Sequence, residues 1–155
     1  MSLELQGVSQ VVDGQLHIAP TDLVLEKGTM NVLLGPTSSG KTSLMRLMAG
    51  LDKPSTGRIL SSGTDVTNQR VQLRNVAMVY QECINYPGMT VFDNIASPLR
   101  LKGQSKVDID RTVRTTAEML KLTSILQRRP LELSGGQQQR CALARALVKG
   151  AELVL

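Results

Sequence analysis

The chain has 155 residues, of which 41% are hydrophobic and 20% are charged, so its composition is typical of a folded domain and excludes intrinsic disorder. The formal net charge of +5 comes from scattered Lys and Arg residues that form no continuous basic stripe. Two Tyr and one Phe provide no stacking platform for single strands, so nucleic acid is not expected as a partner.

The remaining global features concern the cellular compartment. Cys83, Cys141 and the one histidine, His17, fit neither a metal site nor a disulfide framework, so we expect free thiols in a reducing compartment. The sequence contains neither a signal peptide nor a run of about 20 apolar residues that could span a bilayer. We expect a cytoplasmic protein, or one on the cytoplasmic face of a membrane complex.

The first fifty residues predict short strands and then one helix. Alternation over residues 3–8 and an apolar run at 23–25 indicate half-buried strands. Residues 30–34 form a compact apolar run, which is typical of a strand buried on both faces of a parallel sheet. Residues 41–49 carry apolar side chains at helical spacing, and Gly50 is a favourable helix end.

The middle of the chain changes from strands to helices. Residues 53–63 are rich in turn-forming residues and enclose one predicted strand at 58–60, and residues 75–80 predict another buried strand. Residues 84–133 predict a mainly helical segment, in which Ser105 is the expected N-cap of a helix.

The last part of the chain predicts a helix followed by a strand. Pro130 breaks the preceding structure, Ser134 is a natural N-cap, and residues 137–149 are rich in Ala and Leu. The apolar residues 153–155 predict the start of a third buried strand. Because the sequence stops there, we expect a fragment of a larger domain.

The sequence GPTSSGKT fits the pattern G-x-x-x-x-G-K-[ST] between a predicted strand and a helix. In such a loop, glycines let backbone amides surround a polyphosphate, Lys41 reaches the β and γ phosphates, and Thr42 holds Mg²⁺. The predicted phosphate-binding residues are Gly35, Pro36, Thr37, Ser38, Ser39, Gly40, Lys41, Thr42 and Ser43.

A second motif, LSGGQ, opens the predicted helix near the end of the chain. A serine hydroxyl and glycine amides at a helix N-terminus can bind an anion, although an ordinary N-cap has the same appearance. Two such helix starts in one short chain favour a common explanation. The predicted binding residues are Ser134, Gly135, Gly136 and Gln137.

Together, GPTSSGKT and LSGGQQQR resemble the Walker A and signature motifs of the ATP-binding cassette (ABC) family, and ELVL resembles the start of its Walker B strand. Gln81, after NVAMVY, is similar to the Q-loop glutamine that contacts Mg²⁺ and the attacking water. The resemblance implies ATP and Mg²⁺ as cofactors, catalytic roles for Lys41 and Gln81, and metal binding by Thr42 and Gln81.

The resemblance also implies an α/β fold: a P-loop NTPase core of ABC type with an N-terminal antiparallel β region and a helical subdomain, truncated within the Walker B strand. The expected division is a core over residues 1–83, a helical subdomain over 84–133, and the signature helix with the start of the Walker B strand over 134–155. The implied partners are a second ABC subunit, paired head to tail, and transmembrane permease subunits. The implied location is the inner face of the cell membrane.

Within the family, the segments around these motifs resemble the transport ATPases of carbohydrate and polyol importers, and among them those of glycerol and glycerol 3-phosphate uptake. Two alternatives remain: a soluble ABC ATPase of DNA repair or translation, or a nucleotide-binding fragment that does not hydrolyse ATP. His17 either stacks on adenine, where the family usually has an aromatic residue, or is a solvated loop histidine. Because the family's acidic pair would follow Leu155, we expect this chain alone to hydrolyse no ATP.

Overall fold

The computed structural model describes residues 2–82 and 84–155, so the predicted free thiol of Cys83 lies outside the described residues. The chain divides into two compact units. The first comprises residues up to Val76 together with Leu155, and the second comprises Ala77–Val154. Each unit has its own secondary structure and is described separately.

The first unit is built on a four-stranded antiparallel sheet with the strand order β2-β1-β3-β4. Its strands are β1 (Leu3–Val12), β2 (Gln15–Leu25), β3 (Thr56–Ser61) and β4 (Thr64–Asp65). The short strands predicted near the N-terminus and around residues 58–60 are therefore confirmed, and they extend further than their apolar cores. The sheet also agrees with the antiparallel β region that the family resemblance implies.

A tight turn explains the register of the first hairpin. Val12 pairs with Gln15 across a two-residue connection, Asp13-Gly14, in which both residues have positive φ angles, of 50° and 76°. Asp-Gly is favoured in such turns because both central residues need positive φ angles, and the backbone twist of the turn matches the right-handed twist of the flanking strands. The turn therefore sets β2 against β1.

Helix α1 (Lys41–Ala49) follows the glycine-rich loop, as predicted. Its buried face includes Leu44, Leu47 and Met48, which recur at helical spacing. Gly50 adopts a left-handed conformation with φ 76° and ends the helix, since its amide bonds back to carbonyls of the last turn. The predicted helix and its end are confirmed.

The predicted strand at residues 30–34 is wrong. The structure has no strand there, and the side chains of Met30 and Leu34 are 92% and 85% exposed. A strand needs neighbours to accept its backbone hydrogen bonds, and among the described residues none pairs with this segment. The apolar run alone therefore does not make a strand.

The second unit contains three helices, α2 (Val91–Leu101), α3 (Lys106–Met119) and α4 (Gly135–Val148). Its core consists of apolar side chains from these helices and from the connection between α3 and α4. The buried set is Val91, Ile95, Ala96, Leu99, Ile109, Val113, Ala117, Leu122, Ile125, Leu126, Leu133, Cys141, Ala144 and Val148. The mainly helical character predicted for this part of the chain is confirmed.

The helix starts follow the predicted capping chemistry. Ser105 Oγ accepts a hydrogen bond from the Asp108 amide at 3.2 Å and caps α3. Ser134 caps α4, which begins at Gly135, slightly earlier than its Ala- and Leu-rich segment suggested. Both predicted caps are confirmed. Among the described residues, no helix is long and apolar enough to cross a membrane.

Two predicted buried strands are shorter or more exposed than expected. Residues 75–80 contain only β5 (Val76–Ala77), which is buried, and residues 153–155 contain β6 (Leu153–Val154). The two strands form a two-stranded sheet. Val154 is 39% exposed, because a sheet of two strands leaves much of its surface uncovered.

Candidate functional site

A cavity of the first unit lies at the N-terminus of α1 and has a volume of about 490 Å³. One wall comes from β2 and the other from the glycine-rich loop and the first turn of α1. Its lining residues are Gln15, Leu16, His17, Ser38, Gly40, Lys41, Thr42 and Ser43. The structure therefore brings five of the predicted phosphate-binding residues together and places His17 beside them.

The ammonium group of Lys41 is held inside the loop. Its Nζ donates to the carbonyl oxygens of Gly35 and Pro36 at 2.9 and 2.5 Å, and lies 3.4 Å from Ser39 Oγ. These three acceptors match the three donors of an ammonium group. An incoming phosphate would therefore replace one or more loop carbonyl oxygens as the acceptor for Lys41. The positive charge of the Lys41 ammonium group already lies near the cavity.

The backbone conformation of the loop favours glycine at position 40, and the space beside Gly35 is also narrow. Gly40 has a φ of 85°, and a Cβ built on it would lie 2.5 Å from Ile18 Cδ1 of β2. A Cβ on Gly35 would lie 2.8 Å from Ser39 Oγ. Ser38 also has a positive φ, of 65°, which is uncommon for a residue with a side chain.

The N-terminus of α1 is electrostatically suited to an anion. Its first turn contains no acidic residue, and its first amides lack acceptors within the helix, so the positive end of the helix dipole is not neutralised. The hydroxyl of Thr42 is exposed and has no hydrogen-bond partner among the described residues. Mg²⁺ that binds together with a nucleotide takes oxygen ligands, and a hydroxyl next to the phosphate site can be one of them. The residues at this helix start therefore fit both a phosphate group and Mg²⁺.

The LSGGQ motif forms the capped start of α4 in the second unit. Ser134 Oγ accepts from the Gln137 amide at 3.4 Å, and Gln137 Oε1 accepts from the Ser134 amide at 2.9 Å. This capping box leaves the amides of Gly135 and Gly136 directed along the helix axis without intrahelical acceptors. The motif is therefore both an ordinary cap and an exposed group of donors.

The four helices differ in the charge at their N-termini. Helices α2 and α3 carry Asp93 and Asp108 in their first turns, whereas α1 and α4 carry no acid there. Acidic residues stabilise a helix start by neutralising its dipole. The two helices that follow the predicted motifs are therefore the two that keep their positive ends uncompensated.

Gln81 lies in the second unit, in the non-helical segment between β5 and α2, and its residue surface is exposed.

The contacts of the second unit also reveal residues that the motif analysis missed. Asn94 of α2 is fully buried and bonds to the backbone of the preceding loop, and Arg145 of α4 lies over the ring of Tyr86. The sequence signal that could have identified Asn94 is a polar residue on the apolar face of a predicted helix.

Comparison with known proteins gives a consistent result. The family model described as "ABC transporter" matches residues 18–155, which include the glycine-rich loop, both motifs and helices α1 to α4. The chain is 42% identical over 148 residues to the sn-glycerol-3-phosphate import ATP-binding protein UgpC of Pectobacterium atrosepticum, which covers 95% of this chain and 42% of that protein.

Two further relatives carry names with other substrates. The chain is 41% identical to the sulfate/thiosulfate import ATP-binding protein CysA of Thermosynechococcus vestitus, over 100% of this chain and 46% of that protein. It is 44% identical to the trehalose/maltose import ATP-binding protein MalK of Thermococcus litoralis, over 99% of this chain and 43% of that protein. The chain thus spans less than half the length of the curated relatives it matches.

Proposed function

Because this chain belongs to the ABC transporter family, we propose that it is the ATP-binding part of an importer subunit that couples ATP binding and hydrolysis to transport. The observation that carries this proposal is the cavity at the start of α1, where Lys41 and several hydroxyl groups surround a helix end without acidic residues. That combination selects a polyphosphate over a neutral ligand. The import names of the relatives favour this function over a soluble ATPase of DNA repair or translation.

Each residue of the cavity has a proposed role toward Mg-ATP. Lys41 neutralises charge on the β and γ phosphates, the amides at the start of α1 donate to their oxygens, and the Thr42 hydroxyl is a ligand for Mg²⁺. The bound Mg²⁺ would supply charge neutralisation for phosphoryl transfer. Gln81 is proposed as a second group toward the metal and the attacking water. His17, on the cavity wall, is proposed to contact the base.

The proposed role of the α4 start is to bind the γ-phosphate of a nucleotide held by a second copy of the subunit. The amides of Gly135 and Gly136 and the side chains of Ser134 and Gln137 supply the donors. In such a head-to-tail pair, ATP binding stabilises the dimer, and hydrolysis releases it. The protein that contains this chain should therefore associate in the presence of ATP.

A charge placed in this motif tests the dimer. Ser134→Arg should abolish ATP-dependent association, measured by light scattering in a variant that cannot hydrolyse ATP. The matched control is Ser105→Arg, which removes the cap of α3 by the same substitution outside the motif. Equal dimer formation by Ser134→Arg and the unmodified protein would contradict the role of the signature helix.

Residues 84–133 are proposed as the helical subdomain that docks on the permease, beside a core over residues 1–83 and a signature segment over 134–155. Three apolar side chains near its start are exposed: Ile84 by 54%, Tyr86 by 48% and Met89 by 39%. Exposed apolar groups close together in sequence are typical of protein interaction sites. The complex would hold the subunit on the inner face of the cell membrane.

The finer proposal for the substrate is a small carbohydrate or polyol, such as glycerol or glycerol 3-phosphate. The name of the Pectobacterium relative supports it, whereas the names of similarly identical relatives point to sulfate and to trehalose or maltose. A panel of these compounds, tested for stimulation of ATP hydrolysis by the reconstituted transporter, distinguishes them. Stimulation by sulfate alone would contradict the polyol proposal and leave the importer proposal standing.

A further inference from the structure

One loop of the second unit, residues 84–90, is fixed from two sides. We call it the docking segment. On the α2 side, the fully buried Asn94 accepts from the Tyr86 amide at 2.7 Å. The same side chain donates to the carbonyl oxygens of Tyr86, Met89 and Thr90 at 3.1, 3.2 and 3.0 Å. The backbone of the segment is therefore anchored to α2 by one side chain.

On the other side, the docking segment is attached to α4. The guanidinium of Arg145 lies 4.7 Å from the centroid of the Tyr86 ring and donates a hydrogen bond to the Ile84 carbonyl. Asn85 Nδ2 donates to the Gln138 carbonyl at 3.0 Å. Gln138 and Arg145 are two helical turns apart, so both contacts lie on the same face of α4.

The junction between the docking segment and α4 is not fully satisfied. Arg145 Nη1 and Asn85 Oδ1 are buried and have no hydrogen-bond partner among the described residues. A buried polar atom without a partner is costly, and such atoms are rare in well-packed structures. The hydrogen bonds between the docking segment and α2 are therefore satisfied. The contact with α4 leaves one donor and one acceptor unpaired, and a change in the position of α4 relative to the segment could pair them.

We propose that Arg145 is a positioning residue that transmits movement of α4 to the docking segment. The inference rests on the proposed function, in which the start of α4 meets a nucleotide and the docking segment meets the permease. Helix α4 carries the signature motif at its first turn and Arg145 near its end, so a rigid-body shift of the helix on nucleotide binding would move both together. Asn94 keeps the segment's other side attached to α2.

The chemistry of the junction requires arginine. A planar guanidinium can stack on an aromatic ring and donate hydrogen bonds in its own plane at the same time. Lysine keeps the charge but has no plane to stack, and methionine keeps only the length of the side chain. Arg145→Lys should therefore retain part of the coupling, and Arg145→Met should lose it.

Amide hydrogen exchange tests the junction directly. In Arg145→Met, exchange at Tyr86 should accelerate about tenfold, because the segment loses its Arg145 contacts with α4 and keeps only the hydrogen bond from Asn85 on that side. Amides in the middle of α4 should keep their protection, which distinguishes local release from unfolding. The control is Arg114→Met, which removes an exposed arginine of α3 that bonds to Asp110. Unchanged exchange at Tyr86 in Arg145→Met would overturn the inference.

A coupling measurement separates this role from a structural one. In the reconstituted transporter, Arg145→Met should keep its affinity for Mg-ATP and its basal ATPase rate. It should lose the acceleration produced by whichever compound of the panel above (glycerol, glycerol 3-phosphate, sulfate, trehalose or maltose) stimulates the unmodified transporter. Arg145→Lys should recover part of that acceleration. Normal acceleration in Arg145→Met, or loss of α4 protection in both variants, would contradict a positioning role. An unmodified transporter that shows no acceleration would instead contradict the proposed function.

Discussion

The guanidinium group of Arg74 occupies the space that a side chain on Gly50 would need. A Cβ built on Gly50 would overlap the Nε and Cζ atoms of Arg74. Arg74 is 7% exposed and donates to the carbonyl oxygens of Leu47 and Met48, at the end of α1, and of Val66, Thr67 and Gln69. Burial lowers the pKa of this guanidinium from its ordinary value. This side chain thus fixes the far end of the helix that begins at the cavity.

Arg74→Met should lower the free energy of unfolding by about 2 to 3 kcal/mol, because it leaves several buried carbonyl groups without donors. Gly50→Ala should also destabilise the unmodified protein, but less in the Arg74→Met background, where the methionine can move away. A double-mutant cycle by urea denaturation measures this coupling. Gly63→Ala is the control, since Gly63 has a φ of 81° with open space around its Cβ position. Additive effects of the Arg74 and Gly50 substitutions would contradict the overlap.

A side chain at position 40 should destabilise the protein more than one at an uncrowded glycine of the same unit. Gly28→Ala should cost about 1 kcal/mol, because Gly28 has a φ of 76° and open space around its Cβ position. Gly40→Ala should cost a further 1 to 3 kcal/mol or so, because its Cβ would also press on Ile18. Urea denaturation of the two variants measures the difference. Equal losses of unfolding free energy in the two variants would contradict this prediction, because they would mean that the loop moves away from β2 without cost.

Cys141 should be chemically inert in the folded protein. Its side chain is fully buried, and this burial raises the pKa of the thiol to about 11, although the charge of Arg145 lowers it slightly. Iodoacetamide at pH 8 should therefore leave Cys141 unmodified until urea unfolds the chain, as peptide mass mapping can show. Because the pKa is raised by folding, the stability gained from the protonated thiol is present below its ordinary pKa and lost as pH rises through about 11. Rapid native alkylation would contradict the burial.

Stability should also change at acidic pH through Asp93. The hydrogen bond from Arg100, at 2.6 Å, is the main cause that holds the pKa of this carboxyl below its ordinary range. Because folding lowers the pKa, the stabilisation is present above the ordinary value and lost as pH falls through the folded value. Arg100→Met should reduce the loss of thermal stability between neutral pH and about pH 3. Arg111→Met, which removes an exposed arginine from α3, is the control, and identical pH profiles for the two variants would contradict the assignment.

The elements predicted correctly from the sequence are those specified by local chemistry. The Ser105 and Ser134 caps, the Gly50 helix end and the helical spacing in residues 41–49 depend on neighbouring residues, and all are confirmed. The fold class is confirmed by the match to the ABC transporter family, whose P-loop NTPase core is consistent with the antiparallel sheet and four helices. Local patterns and one motif pair were sufficient for these predictions.

The errors concern strands whose formation depends on distant partners. Residues 30–34 have the composition of a buried strand but no pairing partner among the described residues, and among those residues β5 and β6 pair only with each other. The anchoring of Tyr86 by Asn94 and Arg145 was also missed, because these residues meet only after α2 and α4 pack. Sequence periodicity describes the faces of one element and gives no information on which elements will pair.

The most direct test of the proposed ATP-binding cavity is isothermal titration of Mg-ATP into the unmodified protein and into Lys41→Ala. Lys41 contributes charge-assisted hydrogen bonds, so its loss should weaken binding by about tenfold to a hundredfold. Lys27→Ala, which removes an exposed lysine of the same unit outside the cavity, should bind as the unmodified protein does. Equal affinity of Lys41→Ala and the unmodified protein, with both folded, would contradict the assignment of this cavity to ATP.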